Sequence, residues 1–297
     1  MIGSALHSCP PASRPYRVER HAGAGEDVGV AGVELVVTDL DGTLWGANEE
    51  LHPLTLAAIE ELGRRGIHLL VATGRRVTST REPLARAGLA PAAVVLNGAM
   101  ALELATATCF HRHPFPMDEA AQVLEAFRAG GLEPCVYVEH DEVDVFVGPS
   151  PSTHPDHLRA LSTKALEADL DEVIEQHPVL AFGIIGRPRS LLAPAATAIA
   201  EVAEAHFGHA VVFEGAALTA APRGLSKWEG VVAYCGLHGL DPGAALAVGD
   251  GPNDLELLDH ASVAVVPEDA CPEALARADR VVAPPALGGW AQVLSLL

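Results

Sequence analysis

Basic residues are scarce in this chain: 19 Lys and Arg stand against 39 Asp and Glu, a formal charge of −20 over 297 residues. A field of that sign repels phosphate backbones and anionic lipid surfaces, so neither nucleic acid nor membrane is expected as a partner. Aromatic residues are few, at 4%, whereas 49% of the chain is hydrophobic. The core must therefore be built from Ala, Val and Leu. Five cysteines (Cys9, Cys109, Cys135, Cys235 and Cys271) are scattered, odd in number and without a Cys-x-x-Cys pair. That usage suits reduced thiols in a cytoplasmic protein better than a disulfide framework. No apolar run approaches the roughly 20 residues that span a bilayer, and Pro10, Pro11 and Pro15 interrupt the N-terminus where a secretory signal would need a continuous apolar segment. The expectation is a cytoplasmic protein, monomer or homodimer, with residues 1–32 a poorly ordered extension rich in Pro, Gly and Ala.

What the chain does have is a loaded stretch, Val36-Val37-Thr38-Asp39-Leu40-Asp41-Gly42-Thr43-Leu44. The apolar, β-branched run from Val33 to Thr38 reads as a strand buried on both faces. It ends in two aspartates one residue apart, followed by a Gly-Thr turn. This places charge at the carboxyl edge of a sheet, where open α/β sheets bind their ligands.

The chain then alternates. His52 to Arg65 carries Leu54, Ala58, Ile59 and Leu62 as a helical stripe, with Gly66 as a left-handed stop. A strand over Ile67–Ala72 ends in Thr73-Gly74-Arg75, and a helix over about Thr78–Ala87 leads to a strand over Ala92–Leu96 that ends in Asn97-Gly98-Ala99. Strand, helix, strand, helix, strand with short connections predicts an α/β fold with a doubly wound parallel sheet. From Met100 to Phe115 a weak alternation suggests a hairpin. Asp118–Ala129 reads as a helix, Cys135–Val147 as paired strands around His140-Asp141, and Gly148–Pro178 as a polar connection. Val179–Ile185 reads as a strand, Ser190–Phe207 as one Ala-rich helix, and Ala210–Thr219 as further strands. Segregation of this kind predicts an inserted α+β module over 116–217, within a core made of 33–115 and 218–297. The core pattern resumes with a helix over Trp228–Gly236, a strand over Ala244–Val248 ending in Gly249-Asp250-Gly251-Pro252-Asn253-Asp254, short strands over Val263–Val266 and Arg280–Ala283, and a closing helix over Gly289–Leu297.

Four chemically loaded clusters thus lie in order: Asp39-Leu40-Asp41-Gly42-Thr43, Thr73-Gly74, Ser226-Lys227 and Gly249-Asp250-Gly251-Pro252-Asn253-Asp254. Parallel strands bring three of the four to one sheet edge. The assembled site would hold three or four carboxylates, one lysine and one hydroxyl. So many acids without His or Cys call for a hard divalent cation, with Mg²⁺ favoured.

With these motifs at these spacings, the sequence resembles a haloacid dehalogenase superfamily hydrolase. The place of the insert, between Asn97-Gly98-Ala99 and Lys227, is similar to the Cof-type sugar phosphatases with a C2 cap, subfamily IIB. The likeness spans about Val33 to Leu297. It implies a Rossmann-like core, a cap, and a Mg²⁺-dependent phosphomonoesterase acting on a small phosphorylated metabolite such as a sugar phosphate through an aspartyl-phosphate. In the implied roles Asp39 is the nucleophile, Asp41 the general acid and base, Thr73 and the Gly74 N–H the phosphoryl ligands, and Lys227 the cation that neutralises them. The same resemblance places Asp39, Asp41 through its backbone carbonyl, Asp250 and Asp254 around the metal, and Gly42 and Asn253 at the substrate. Trp228, where relatives often carry Gly, and Val263–Ala270 depart from the branch's usual residues.

Two other readings of the phosphoaspartate stay open, a phosphotransferase or phosphomutase and a regulatory protein phosphorylated at Asp39. A second acid at Asp41 favours turnover over storage. Cys109, His111 and His113 would share one face of a regular strand, but an exposed hairpin face is the stronger expectation than a zinc site.

Overall fold

Residues 32–46, 48–139, 143–161, 164–209 and 214–297 are described by the structure, a computed structural model. The extension expected over 1–32 therefore lies, up to residue 31, outside the described residues, and so do His140 and Asp141, around which the paired strands are expected.

Val36 and its neighbours build β1 (Leu35–Thr38), which has no exposed side chain. The β-branched run is buried because both faces of its sheet are covered. The chain continues through α1 (Pro53–Arg65), β2 (His68–Ala72), α2 (Val77–Arg86), β3 (Ala92–Val95), β4 (Met100–Glu103) and β5 (Thr108–Arg112). It then leaves this sheet for α3 (Met117–Ala129), β6 (Cys135–Val138), β7 (Val145–Val147), α4 (Pro155–Leu161), β8 (Ala165–Glu167), α5 (Leu170–Gln176), β9 (Val179–Arg187), α6 (Arg189–Ile199), β10 (Glu204–His209) and β11 (Ala216–Ala221). It returns with α7 (Lys227–His238), β12 (Ala245–Val248), α8 (Leu255–His260), β13 (Val263–Pro267), α9 (Pro272–Leu275) and β14 (Arg280–Val282). Two sheets result, one of eight strands in the order β14-β13-β12-β1-β2-β3-β4-β5 and one of six in the order β10-β11-β9-β6-β7-β8. In the first, all neighbours from β14 to β3 are parallel, and β4 and β5 are an antiparallel edge. This is the α/β fold that the alternation predicts.

Helix α1 shows how local signals set the ends. His52 accepts the Leu54 N–H through its side chain, Pro53 opens the first turn, and Gly66 closes the last at φ 72°. The stripe differs by one residue from expectation: Thr55, Ala58, Ile59 and Leu62 are buried, while Leu54 is exposed. An i, i+3, i+4, i+7 set starting at Thr55 is the one that faces the sheet.

Three other expectations change. Ser190–Phe207 is not one helix: α6 ends at Ile199, and β10 follows as an edge strand paired along its length with β11. Ala-rich sequence is a good helix former, but tertiary pairing takes its second half. The Gly148–Pro178 connection holds α4, β8 and α5. The closing segment is a 3₁₀ helix over Gly289–Leu296. The expected strands from Ala210 are represented by β11 from Ala216, with 210–213 outside the described residues.

The second sheet has two unlike faces. Val136, Phe182, Ile184 and Leu218 pack with Phe127 and Leu192 of the helices. Tyr137, Ala181 and Thr219, in the alternate positions, line a cavity of 1130 Å³ shared with the carboxyl edge of the first sheet. Alternation along each strand thus separates packing from lining. His157 on α4 also lines this cavity, bonded to the Thr153 hydroxyl at 2.8 Å. Burial first, and then Arg76 and His154, push its imidazole down to about 4. The neutral ring is therefore the folded form. Its contribution to stability is complete above the unfolded-state pKa of about 6.5 and falls as pH drops through the window from there to about 4. In urea unfolding, wild type should lose about 2 kcal/mol more than His157→Gln between pH 7.5 and pH 5. Identical pH dependence in the two proteins would contradict this.

Candidate active site

The parallel register places Thr38 beside both Val71 and Val248. The residues that follow these strand ends therefore meet. Asp39 follows β1, Thr73 and Gly74 follow β2, and Asp250 follows β12. The backbone pins them: Asp39 N–H donates to the Val248 carbonyl at 2.9 Å and Thr73 N–H to Val94 at 2.9 Å.

Lys227 arrives from another direction. Ser226 caps α7 with its hydroxyl and is capped in turn by Glu229. This sets Lys227 in the first helical turn with its side chain fully buried. Its ammonium donates to Asp39 Oδ1 at 2.8 Å and to Asp254 Oδ1 at 2.7 Å. Asp254 is also buried, and its Oδ2 accepts the Asp250 and Gly251 N–H groups at 3.0 and 2.9 Å. Asp250 accepts the Thr43 hydroxyl at 2.6 Å. Asp39, Asp250 and Asp254 each present an oxygen within 4.8 Å of the others.

The electrostatics follow from this crowding. Burial pushes the Asp39 carboxyl well above the usual carboxylate range; Lys227 pulls it back, and Asp254, Asp250 and Asp41 push it up again. Asp250 is pushed up to about 7, by burial first and then by Asp254, against the Thr43 hydroxyl and Lys227. Burial disfavours the Lys227 ammonium, but Asp254 and Asp39 override it and hold the lysine charged. One cation therefore serves two carboxylates, and the third, among the described residues, has the Thr43 hydroxyl. The donor set, all oxygen and in excess of negative charge, fits a hard divalent cation.

Asp41 is placed differently. Its carboxylate points to Arg75, which donates Nε to Oδ2 and Nη2 to Oδ1, each at 2.5 Å, and Trp45 Nε1 adds a bond at 3.1 Å. Its side chain thus stands outside the three-acid group. Gly42 follows Asp41 in the same turn. At φ +80° its N–H donates to the Trp45 carbonyl, and a Cβ there would lie 2.5 Å from Asp250 Oδ2. Gly42 makes room for Asp250, and its N–H is already engaged.

Thr73 is buried, and its hydroxyl accepts the Arg75 N–H at 3.2 Å. Asn253 donates to Asn97 Oδ1 at 3.0 Å, and Asn97 donates to Thr219 on the second sheet at 3.4 Å. Neither Arg75 nor Asn97 is singled out by the sequence reading, although both stand inside its motif strings. The left-handed φ of 56° at Asn97 and the closeness of Gly98 to Ser226, where a Cβ would meet the carbonyl oxygen at 2.0 Å, show that this loop is wedged against the start of α7. Away from the site, a bulge sets Cys109 opposite Leu102 and His111 opposite Ala101. Neighbouring positions of β4 face opposite ways, so Cys109 and His111 do not share the face that a metal site would need.

Residues 36–294 match the sequence profile described as haloacid dehalogenase-like hydrolase. The chain is 24% identical over 240 residues to a phosphoglycolate phosphatase of Methanopyrus kandleri, covering 80% of this chain and 84% of that protein. Among solved structures it is similar to BT1666 from Bacteroides thetaiotaomicron, of the phosphatases of that superfamily, at a TM-score of 0.72 and 17% identity over 93% of this chain and 98% of the other. The subclass IIB sugar phosphatase BT4131 aligns at a TM-score of 0.69 and 20% identity, over 88% and 97%. No helix among the described residues is long and apolar enough to cross a membrane.

Proposed function

Because the chain belongs to the haloacid dehalogenase-like hydrolase family, and its site joins a buried carboxylate to a lysine and two further acids, we propose that it is a Mg²⁺-dependent phosphomonoesterase of small phosphorylated metabolites. The observation that carries this reading is the grouping of Asp39, Asp250 and Asp254, the first and last bonded to Lys227, beside a cavity lined by Asp39, Asp250, Thr73, Gly74 and Asn253. In this reading the second sheet and its helices form the cap, which contributes Tyr137, Ala181 and Thr219 to the cavity lining. A sugar phosphate is the substrate class suggested by the likeness to subclass IIB.

Asp39 attacks phosphorus through its free carboxylate oxygen while the ester oxygen departs on the opposite side. Lys227, Thr73 and the Gly74 N–H hold the phosphoryl oxygens as charge moves onto them. Asp41 protonates the departing alkoxide. It then takes a proton from water, which attacks the aspartyl-phosphate, releasing phosphate and restoring Asp39. Asp41 has both oxygens engaged in the resting protein, so one of them exchanges Arg75 or Trp45 for the leaving oxygen. Asp39, Asp250 and Asp254, with the Asp41 carbonyl, would hold Mg²⁺, which supplies positive charge against the phosphoryl group.

The test is phosphate release from a panel of sugar, nucleotide and cofactor phosphates. A chelator should abolish release, and Mg²⁺ should restore it. Turnover that survives complete chelation would remove the metal from the reading. Phosphate appearing on an added alcohol faster than in water would turn it into a transferase.

A further inference from the structure

The two arginines after Thr73-Gly74 reach in different directions. Arg75 grips Asp41 through Nε and Nη2, and binds Glu49 and the Ser79 carbonyl through Nη1 at 2.5 and 3.1 Å. Arg76, only 9% exposed, donates from Nη1 to both oxygens of Asp144 at 2.9 and 2.8 Å. The Thr78 hydroxyl adds a third bond to the same carboxylate at 2.9 Å. Asp144 belongs to the cap, where it immediately precedes β7, and its carbonyl accepts the Val138 N–H from β6. Arg76, the residue before α2, is extended at φ −78° and ψ 167°. Neighbouring side chains of an extended backbone point to opposite sides. One dipeptide therefore ties a cap carboxylate to the catalytic carboxylate.

We propose that Asp144 is a positioning residue for the proposed hydrolysis: by holding Arg76, the docked cap fixes Arg75 and with it the place of Asp41. Three charge-assisted or hydroxyl bonds converge on one partly buried carboxylate, a strong anchor for the start of α2. Without it a buried guanidinium is left unpaired, and the segment 75–78 must shift to rehydrate it. That segment carries the only arginine bonded to Asp41 among the described residues. Its shift moves the general acid and leaves the nucleophile, which is held by β1, β12 and Lys227.

This inference rests on the phosphatase reading, and leaving-group dependence tests it separately. The value of kcat/KM reports steps through departure of the leaving group. A para-nitrophenolate leaves without a proton, whereas an alkoxide needs one, and general acid catalysis contributes on the order of 10²–10⁴-fold. Asp144→Asn is therefore expected to lower kcat/KM for glycerol phosphate or a hexose phosphate about 10-fold or more, and for para-nitrophenyl phosphate less than about 2-fold. Asp144→Glu, which keeps the charge, should restore most of the alkyl activity, and Thr78→Val should show the same asymmetry at smaller size should Asp144→Asn fail to fold. Equal losses on both substrates, or none on either, would overturn the positioning role while leaving the phosphatase reading in place. A wild type inactive on every phosphate ester would instead overturn the phosphatase reading and this inference together.

Discussion

Asp39→Asn is expected to lose at least about 10⁴-fold in turnover while remaining folded. The amide nearly matches the carboxylate in shape and can still accept a bond from Lys227, but it cannot form the acyl phosphate. Its effect on stability should be small and favourable. Burial and three neighbouring acids all disfavour the native charge at this position, so replacing a strained carboxylate by a neutral group relieves repulsion with Asp250 and Asp254. Thermal unfolding without metal should show a midpoint equal to or above that of the wild type. Loss of activity with loss of fold would show a structural role for Asp39, and retained turnover would remove it as nucleophile.

Lys227→Met should have the opposite balance. The side chains are similar in length and the helix propensities are close, so α7 and its cap at Ser226 persist. What disappears is the one cation bonded to two buried carboxylates at 2.8 and 2.7 Å. Removing one partner of a buried ion pair costs about 3–5 kcal/mol because the remaining charge is uncompensated. Denaturant unfolding should show a loss of that order, partly recovered by millimolar Mg²⁺, and kcat/KM should fall on the order of 10²–10³-fold from the missing charge stabilisation. Stability equal to the wild type would mean that the ammonium is not what offsets the buried charge of Asp39 and Asp254.

Some of this site is legible in the chain and some is not, for physical reasons. The meeting of Asp39, Thr73 and Asp250 can be read because each follows an apolar strand, and parallel strands send their carboxyl ends to one edge. Lys227 follows no strand of the parallel sheet. Its placement depends on the Ser226 cap and on Gly98 packing against Ser226, which spacing alone does not show. The sequence gives Arg75 as the residue after Thr73-Gly74, but its partner is 34 positions away and is chosen by the turn at Gly42 to Trp45. Asp144 is less legible still, since its hydrogen bonds join two sheets that share no strand pairing. The parallel core was legible from β-branched runs separated by helical stripes. The break between α6 and β10 was not: no Gly or Pro interrupts Thr197–His206, and only pairing with β11 turns that segment into a strand.

The proposed hydrolysis passes through a covalent intermediate at Asp39. The decisive measurement is a rapid acid quench of the enzyme during turnover, followed by borohydride reduction and peptide mass spectrometry, which converts an aspartyl-phosphate to homoserine. Homoserine at position 39, absent without substrate, is the result predicted. Full turnover with Asp39 unmodified, or modification at another residue, would contradict it.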